Sequence, residues 1–198
     1  MSKLPLGMPQ QYCSNCAAQL SCETPTGDNK LRYVCRKCGV VHYENPKMVV
    51  GCVAEHQGKI LLCKRAIEPR LGFWTVPAGF MELGETVAAA AVRETYEEAC
   101  ARVELGSLLA MVDVPDAGQV HIFYRGTLID GNYGVGEESL DTRLFAPRDI
   151  PWEQIAFRSG HVALRQFLAQ SAAGAEYTHS ETVQRNRTTP TADEPDSH

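Results

Sequence analysis

Three glutamates crowd the stretch "RETYEEACA", which runs from Arg93 to Ala101. Glu94, Glu97 and Glu98 stand at i, i+3 and i+4, a spacing that a helix gathers onto one face. In isolation such like-charged pairs each cost a helix about 0.2–0.5 kcal/mol. The segment reads as ending at Cys100–Ala101, which sets the acids near the negative end of the helix macrodipole. A second constellation lies at the other end of the chain. Cys13-Ser-Asn-Cys16 and Cys35-Arg-Lys-Cys38 are two C-x2-C pairs separated by 18 residues, the spacing of a four-thiolate zinc site. Gly39 after the second pair gives that knuckle the backbone freedom such a turn needs. Cys22, Cys52, Cys63 and Cys100 have no ligand spacing and read as packing or surface residues. His42 is a further nitrogen donor, but the four cysteines already complete a set.

The elements that must position these groups fall into three regions. Residues 1–45 hold five of the eight cysteines and little continuous apolar sequence. A module that small cannot build an adequate core, so a zinc ribbon whose folding energy comes from the metal is expected there. Residues 46–172 carry most of the hydrophobic pattern. "KMVVGCVAEH" and "ILLCKRA" flank Gln-Gly-Lys as a hairpin. "LGFWTVPAGFMELGE" reads as a Gly- and Pro-rich loop. "TVAAAAVRETYEEACA" reads as a helix capped by Thr86, with Ala88, Ala91, Val92, Thr95 and Ala99 as its inward stripe. "RVELGSLLAMVDV", "QVHIFYRGTLI" and "TRLFA" read as strands, and "WEQIAF" and "GHVALRQFLAQ" as helices. Strands covered by a few helices give an α+β class with a mixed sheet. Residues 173–198 are polar and almost without large aliphatics, so a disordered tail is expected.

Composition narrows the function. The 198 residues, 44% of them hydrophobic, allow one ordinary domain and a small extra module. A formal net charge of −5 and a pI near 5.7 argue against a dedicated nucleic-acid partner. The basic residues Lys30, Arg32, Arg36 and Lys37 are opposed by Glu23, Asp28 and Glu44, so the first region is not strongly basic and the ribbon is expected to be structural or dimer-forming, giving a homodimer in the second case. The sequence shows neither a signal peptide nor a membrane span, and the cysteine usage fits reduced thiols, so the expected location is cytoplasmic.

Gly79, Glu85, Arg93, Glu94, Glu97 and Glu98 stand in the order G-x5-E-x7-R-E-x2-E-E. This resembles the Nudix box, with Cys100 where the box has its last glycine and with Thr95 and Ala101 at positions usually filled by larger aliphatics. "NPKMVVGCV", "GKILLCKR", "GFWTVPAGFMELGE" and "ESLDTRLFAPRDIP" extend the resemblance to Nudix hydrolases that carry an N-terminal zinc ribbon, over residues 12–170. The resemblance implies a Nudix α/β/α sandwich preceded by the ribbon. It also implies an enzyme, a pyrophosphatase that cleaves the diphosphate linkage of a small nucleotide substrate. FAD and ADP-ribose are the foremost candidates, with release of AMP. Glu94, Glu97 and Glu98 would hold Mg2+ or Mn2+, with the Gly79 carbonyl as a further ligand. Arg93 would pair with Glu85 in support. A cation reverses the electrostatics of such a cluster, turning mutual repulsion into a site. The general base is either Glu98 or Glu138, and Glu137 leaves the register of the second open. Pro115, 15 residues after Cys100, matches a placement in ADP-ribose-cleaving relatives. Phe73, Trp74, Phe123 and Tyr124 are candidates to stack on a base, against the alternative of core packing. NADH or another dinucleotide is the alternative substrate. A non-catalytic nucleotide sensor, with the ribbon as a binding module, is the alternative class.

Overall fold

The computed structural model describes residues 10–184. The cysteine region folds as a three-stranded antiparallel sheet of β1 (Ser21–Glu23), β2 (Arg32–Val34) and β3 (Val41–His42), in that order. Its two knuckles are built alike. The amide of Ala17 returns to the Cys13 carbonyl, and that of Gly39 to the Cys35 carbonyl, at 2.9 and 2.8 Å. Both closing residues take positive φ, 56° and 75°.

The main domain is a mixed eight-stranded sheet between two helices. Its strands are β4 (Lys47–His56), β5 (Lys59–Arg65), β6 (Trp74–Thr75), β7 (Ala78–Phe80), β8 (Val103–Val114), β9 (Gln119–Leu128), β10 (Ser139–Phe145) and β11 (His179–Thr182). The order is β10-β5-β4-β9-β8-β11, with β6 on β5 and β7 on β4. The β4–β9 and β8–β11 pairs are parallel and the rest antiparallel. Helices α1 (Val87–Ala99) and α2 (Arg158–Ala173) cover opposite faces. Alternation along the central strands serves both helices. Val53, Ile60 and Leu62 pack with Leu164 and Phe167 of α2, while Cys52, Ala54, Leu61 and Cys63 pack with Ala99 at the end of α1. Each fully buried leucine contributes about 1.5–3 kcal/mol, so this two-sided core holds the sheet rigid beneath both helices.

The β4–β5 hairpin forms at its expected turn, where Gln57 and Gly58 both take positive φ. Thr86 caps α1 as expected, its hydroxyl accepting from the Ala89 amide at 3.1 Å. Four expectations need correction. The Gly- and Pro-rich loop contains β6 and β7, because β5 and β4 offer each a short stretch of free backbone; Pro77, which cannot donate, separates the two. In "WEQIAF" only Trp152–Gln154 is helical, as one 3-10 turn. The inward stripe of α1 is Ala90, Ala91, Glu94, Thr95, Glu98 and Ala99, whereas Val92 is exposed. The tail expected to be disordered continues in order as β11, which lies parallel against β8. Its strand pairing, with Ser107 donating to Glu176 at 2.7 Å, supplies what its polar side chains cannot. The last fourteen residues of that expectation, 185–198, lie outside the described residues.

Candidate active site

The acidic helix meets the sheet through small side chains. Thr95 and Ala101, where larger aliphatics were expected, are fully buried. Such a face lets α1 approach closely enough to bury part of its acidic row. Glu94 and Glu98 are only 8% and 7% exposed, while Glu97 points to solvent. Gly79 on β7 lies directly beneath the Glu94 carboxylate, and a Cβ there would occupy the space of its oxygens. Glycine leaves the carboxylate in place, where a larger residue would push it aside.

Arg93 ties the group together. It grips Glu85 with two donors at 2.7 and 3.0 Å, reaches Glu94 at 2.7 Å and Glu97 at 2.9 Å, and donates to the Phe80 carbonyl at 3.1 Å. Glu85 in turn accepts from the Glu82 amide at 2.6 Å. The Arg93 guanidinium holds the Glu85 carboxyl below its ordinary range. The box arginine thus fixes loop and helix as one body.

The two buried acids behave differently. Burial raises the Glu94 pKa, opposed by Arg93 and reinforced by Glu97 and Glu138. Glu98 is pushed up to about 8, chiefly by burial, against one hydrogen bond from the Ala78 amide at 3.3 Å; Glu94 and Glu138 push further and Arg65 pulls back. Glu138 therefore acts on both buried acids from its loop. The structure brings together every predicted box residue, with Glu138 at the rim. Among the described residues the carboxylate oxygens do not converge on one point as the cysteine sulfurs do. That suits a cation that keeps several waters and takes substrate phosphates as further ligands.

The loop carrying Glu138 also closes the end of α1. Cys100 adopts the left-handed conformation, φ 47°, that the missing glycine would have taken. Gly134 donates to the Ala99 carbonyl at 2.7 Å, while Gly136 and the Ser139 hydroxyl donate to the Glu98 carbonyl at 3.1 and 2.8 Å. The sequence reading missed Gly134, Gly136 and Ser139, because contacts across some 40 residues leave no local spacing. Of the stacking candidates, Trp74 and Phe123 are core residues. Phe73 is half-buried under Arg70, and Tyr124 packs toward Val50 and the alanines of α1. Pro115 opens the 3-10 turn between β8 and β9.

In the ribbon, the Sγ atoms of Cys13, Cys16, Cys35 and Cys38 all lie within 4.8 Å of one another, with Cys13–Cys38 at 3.6 Å and Cys16–Cys35 at 3.5 Å. Tetrahedral zinc with bonds of about 2.3 Å separates its sulfurs by about 3.8 Å, so the cluster fits that ion. The Val40 amide and the Asn15 side chain lower Cys38 to about 6. His42 is not part of the cluster.

The chain resembles known proteins in sequence and fold. Residues 45–167 match the NUDIX domain family, and residues 11–44 match the family described as Nudix N-terminal. An ADP-ribose pyrophosphatase from Methanocaldococcus jannaschii is 33% identical over 113 residues, covering 55% of this chain and 67% of that protein. An NAD-capped RNA hydrolase from Schizosaccharomyces pombe is 37% identical over 132 residues, covering 65% of this chain and 32% of that protein. The crystal structure of a NUDIX hydrolase from Nitrosomonas europaea superposes with a TM-score of 0.86 at 44% identity, covering 89% of this chain and 100% of the other. The chain spans between about a third and two thirds of the curated relatives it matches. Among the described residues no helix is long and apolar enough to cross a membrane. A family match over most of the chain, on a fold that superposes closely on a solved relative, means that this chain belongs to the Nudix hydrolases.

Proposed function

We propose that the protein hydrolyses, with Mg2+ or Mn2+, the diphosphate linkage joining a nucleoside to a second group, with ADP-ribose or FAD preferred and AMP as one product. The observation that carries this reading is the pair of buried acids, Glu94 and Glu98, one helical turn apart. Burying a carboxylate is costly; Arg93 offsets that cost for Glu94, while among the described residues Glu98 has only the 3.3 Å contact from the Ala78 amide and its cost stands. A bound cation offsets it.

The donor set is all oxygen and faces an open rim, which fits Mg2+ or Mn2+. Glu94, Glu97 and Glu98 would hold the ion, with the Gly79 carbonyl as a further ligand. When bound, the ion neutralises charge on the bridging phosphates and acidifies a water for attack on phosphorus. The chain's own residues supply the geometry. Arg93 and Glu85 keep the Gly79 loop against α1, and Gly79 leaves the backbone room beside Glu94. Glu98 and Glu138 compete for the proton of the attacking water. Burial pushes Glu98 up to about 8, and Glu138 is exposed and able to pass a proton to solvent. In the ribbon, Zn2+ on Cys13, Cys16, Cys35 and Cys38 would be structural.

Likeness to the Methanocaldococcus jannaschii ADP-ribose pyrophosphatase favours ADP-ribose within this class. Likeness to the Schizosaccharomyces pombe NAD-capped RNA hydrolase favours a second reading, NADH or another nicotinamide dinucleotide. The test is product release with Mg2+ across ADP-ribose, FAD, NADH and dinucleoside polyphosphates, comparing kcat/KM. Glu98→Gln is expected to lower kcat about a thousandfold on the best of these with KM little changed. Turnover by that variant at the wild-type rate would refute the assignment, and Glu138→Gln run beside it identifies the base.

A further inference from the structure

We propose that Ser139 is a positioning residue for Glu98, its hydroxyl latching the Glu98 carbonyl and tying the Glu138 loop to the same point. The inference rests on the role given to Glu98 above. In the last turn of a helix the carbonyls have no partner within the helix. Here the Glu98 carbonyl takes three donors from outside: Ser139 Oγ at 2.8 Å, the Gly136 amide at 3.1 Å and the Cys63 thiol at 3.6 Å. The thiol is a weak donor, so the hydroxyl and the amide carry the contact.

The carboxylate of the same residue is held far less firmly. Among the described residues its one hydrogen bond is the 3.3 Å contact from Ala78. Where that carboxylate sits is therefore decided by where its backbone sits. The helix face does little to decide it, since alanines and Thr95 offer no large side chains to interlock with the sheet. The exit after Glu98 does little either, because Cys100 turns the chain without the glycine that usually makes this turn easy.

The fold aims Ser139 at its target by local means. Ser139 is the first residue of β10 and pairs with Arg65, and a bulge separates it from the regular register that resumes at Asp141. Such a bulge re-aims a side chain: Leu140 faces solvent and Ser139 is buried. Gly136 lets the loop lie flush on the helix end, since a Cβ there would run into the Glu97 carbonyl. Glu138 sits between the two contacts, with its own carbonyl fixed by the Ala66 amide at 2.8 Å. One latch thus sets the distance between the two acids that compete for the proton.

The test uses the full chain and whichever nucleotide of the panel the wild type turns over fastest. Ser139→Ala is expected to lower kcat about tenfold and to raise the half-saturating Mg2+ concentration at least threefold, with KM for the nucleotide within twofold. Ser139→Thr, which keeps the hydroxyl, is expected to restore most of both. Gly136→Ala lifts the same loop from its other contact and should give the same signature, which covers the case of an unfolded Ser139→Ala. Ser159→Ala is the matched control. That buried hydroxyl bonds His121 Nδ1 at 2.8 Å on the α2 side of the sheet, and its loss should lower Tm without moving kcat or the Mg2+ midpoint. Wild-type kcat and Mg2+ midpoint in Ser139→Ala would overturn the latch, as would an equal loss of kcat in Ser159→Ala. Failure of the Glu98 reading is separate, being seen as an active Glu98→Gln.

Discussion

Among the described residues two sets of side chains carry the atom types that ligate metals, and they are built on opposite plans. The four cysteines converge, their sulfurs within 4.8 Å of one another on a module of three very short strands. The box acids do not converge; they are strung along a helix over a two-sided core and tied down by Arg93. On the first plan the binding energy of a metal ion would go into folding. The second spends the energy of a folded domain on keeping acids where an ion and a phosphate can meet. A closed site suits structure and an open one suits chemistry.

The sharpest way to break this contrast is to remove each metal in turn. Stripping the ribbon with a thiol-reactive reagent and a chelator should unfold residues 11–44, because apparent binding energies of about 10–16 kcal/mol for four-ligand zinc sites exceed anything so small a core can replace. Cys35→Ser should do the same, read as release of the metal and loss of ribbon amide protection in hydrogen exchange. Removing Mg2+ should leave the main domain folded and merely inactive. A main domain that unfolds without Mg2+, or a ribbon that keeps its protection without zinc, would erase the distinction.

Next in size is the tie. Arg93→Ala releases the Gly79 loop from α1 and leaves Glu85 and Glu94 without their partner. The expected result is a drop in kcat of about a hundredfold, on the scale of a small misplacement of catalytic groups. KM should change less, because the Arg93 guanidinium is already engaged by Glu85, Glu94, Glu97 and the Phe80 carbonyl. A rise in KM alone would recast it as a substrate-binding residue.

A smaller effect comes from the buried acid. Burial first, then Glu94 and Glu138, lift Glu98 to about 8 from an ordinary value of 4.5. Below about pH 4.5 the folded and unfolded chains both carry this proton. As pH rises from there toward 8 the unfolded chain releases it while the folded chain keeps it, so the ion-free protein loses stability with rising pH. Mg2+ binds the ionised form, so the increase in Tm that it brings should be larger at pH 8.5 than at pH 6. Taking the difference with and without Mg2+ at each pH cancels other groups, such as the buried His121. An equal shift at both values would place the ion away from Glu98.

The same contrast explains what could be read before the fold was known. Both metal sets rest on short local spacing, C-x2-C twice and the i, i+3, i+4 acids, so their residues were legible, as were the Thr86 cap and the Gln57–Gly58 turn. What was not legible depends on distant backbone. β6 and β7 exist because β5 and β4 have free edges, and β11 exists because β8 does. The inward turn of Glu94 and Glu98 could not be seen either, since charge pattern alone predicts a solvated face. It took Gly79, 15 residues earlier in the chain, to make room. Ser139 was hidden for the same reason, its partner carbonyl lying 41 residues away.

The smallest prediction concerns Cys100, which stands at the end of α1 where the box has its last glycine. Cys100 holds φ 47° and ψ 28°, a region that costs a residue with a Cβ about 1–2 kcal/mol. Glycine removes that cost and adds back some freedom to the unfolded chain, worth about 0.4–1 kcal/mol in the other direction. Cys100→Gly should therefore stabilise the domain by about 0.5–1 kcal/mol, read as a rise in denaturation midpoint at unchanged slope. Activity should stay near that of the wild type, because the Gly134, Gly136 and Ser139 contacts already fix the helix end. If Cys100→Gly instead raised kcat severalfold, the exit turn and not the distant loop would be setting Glu98, and the weight placed on that loop would shift to the helix itself.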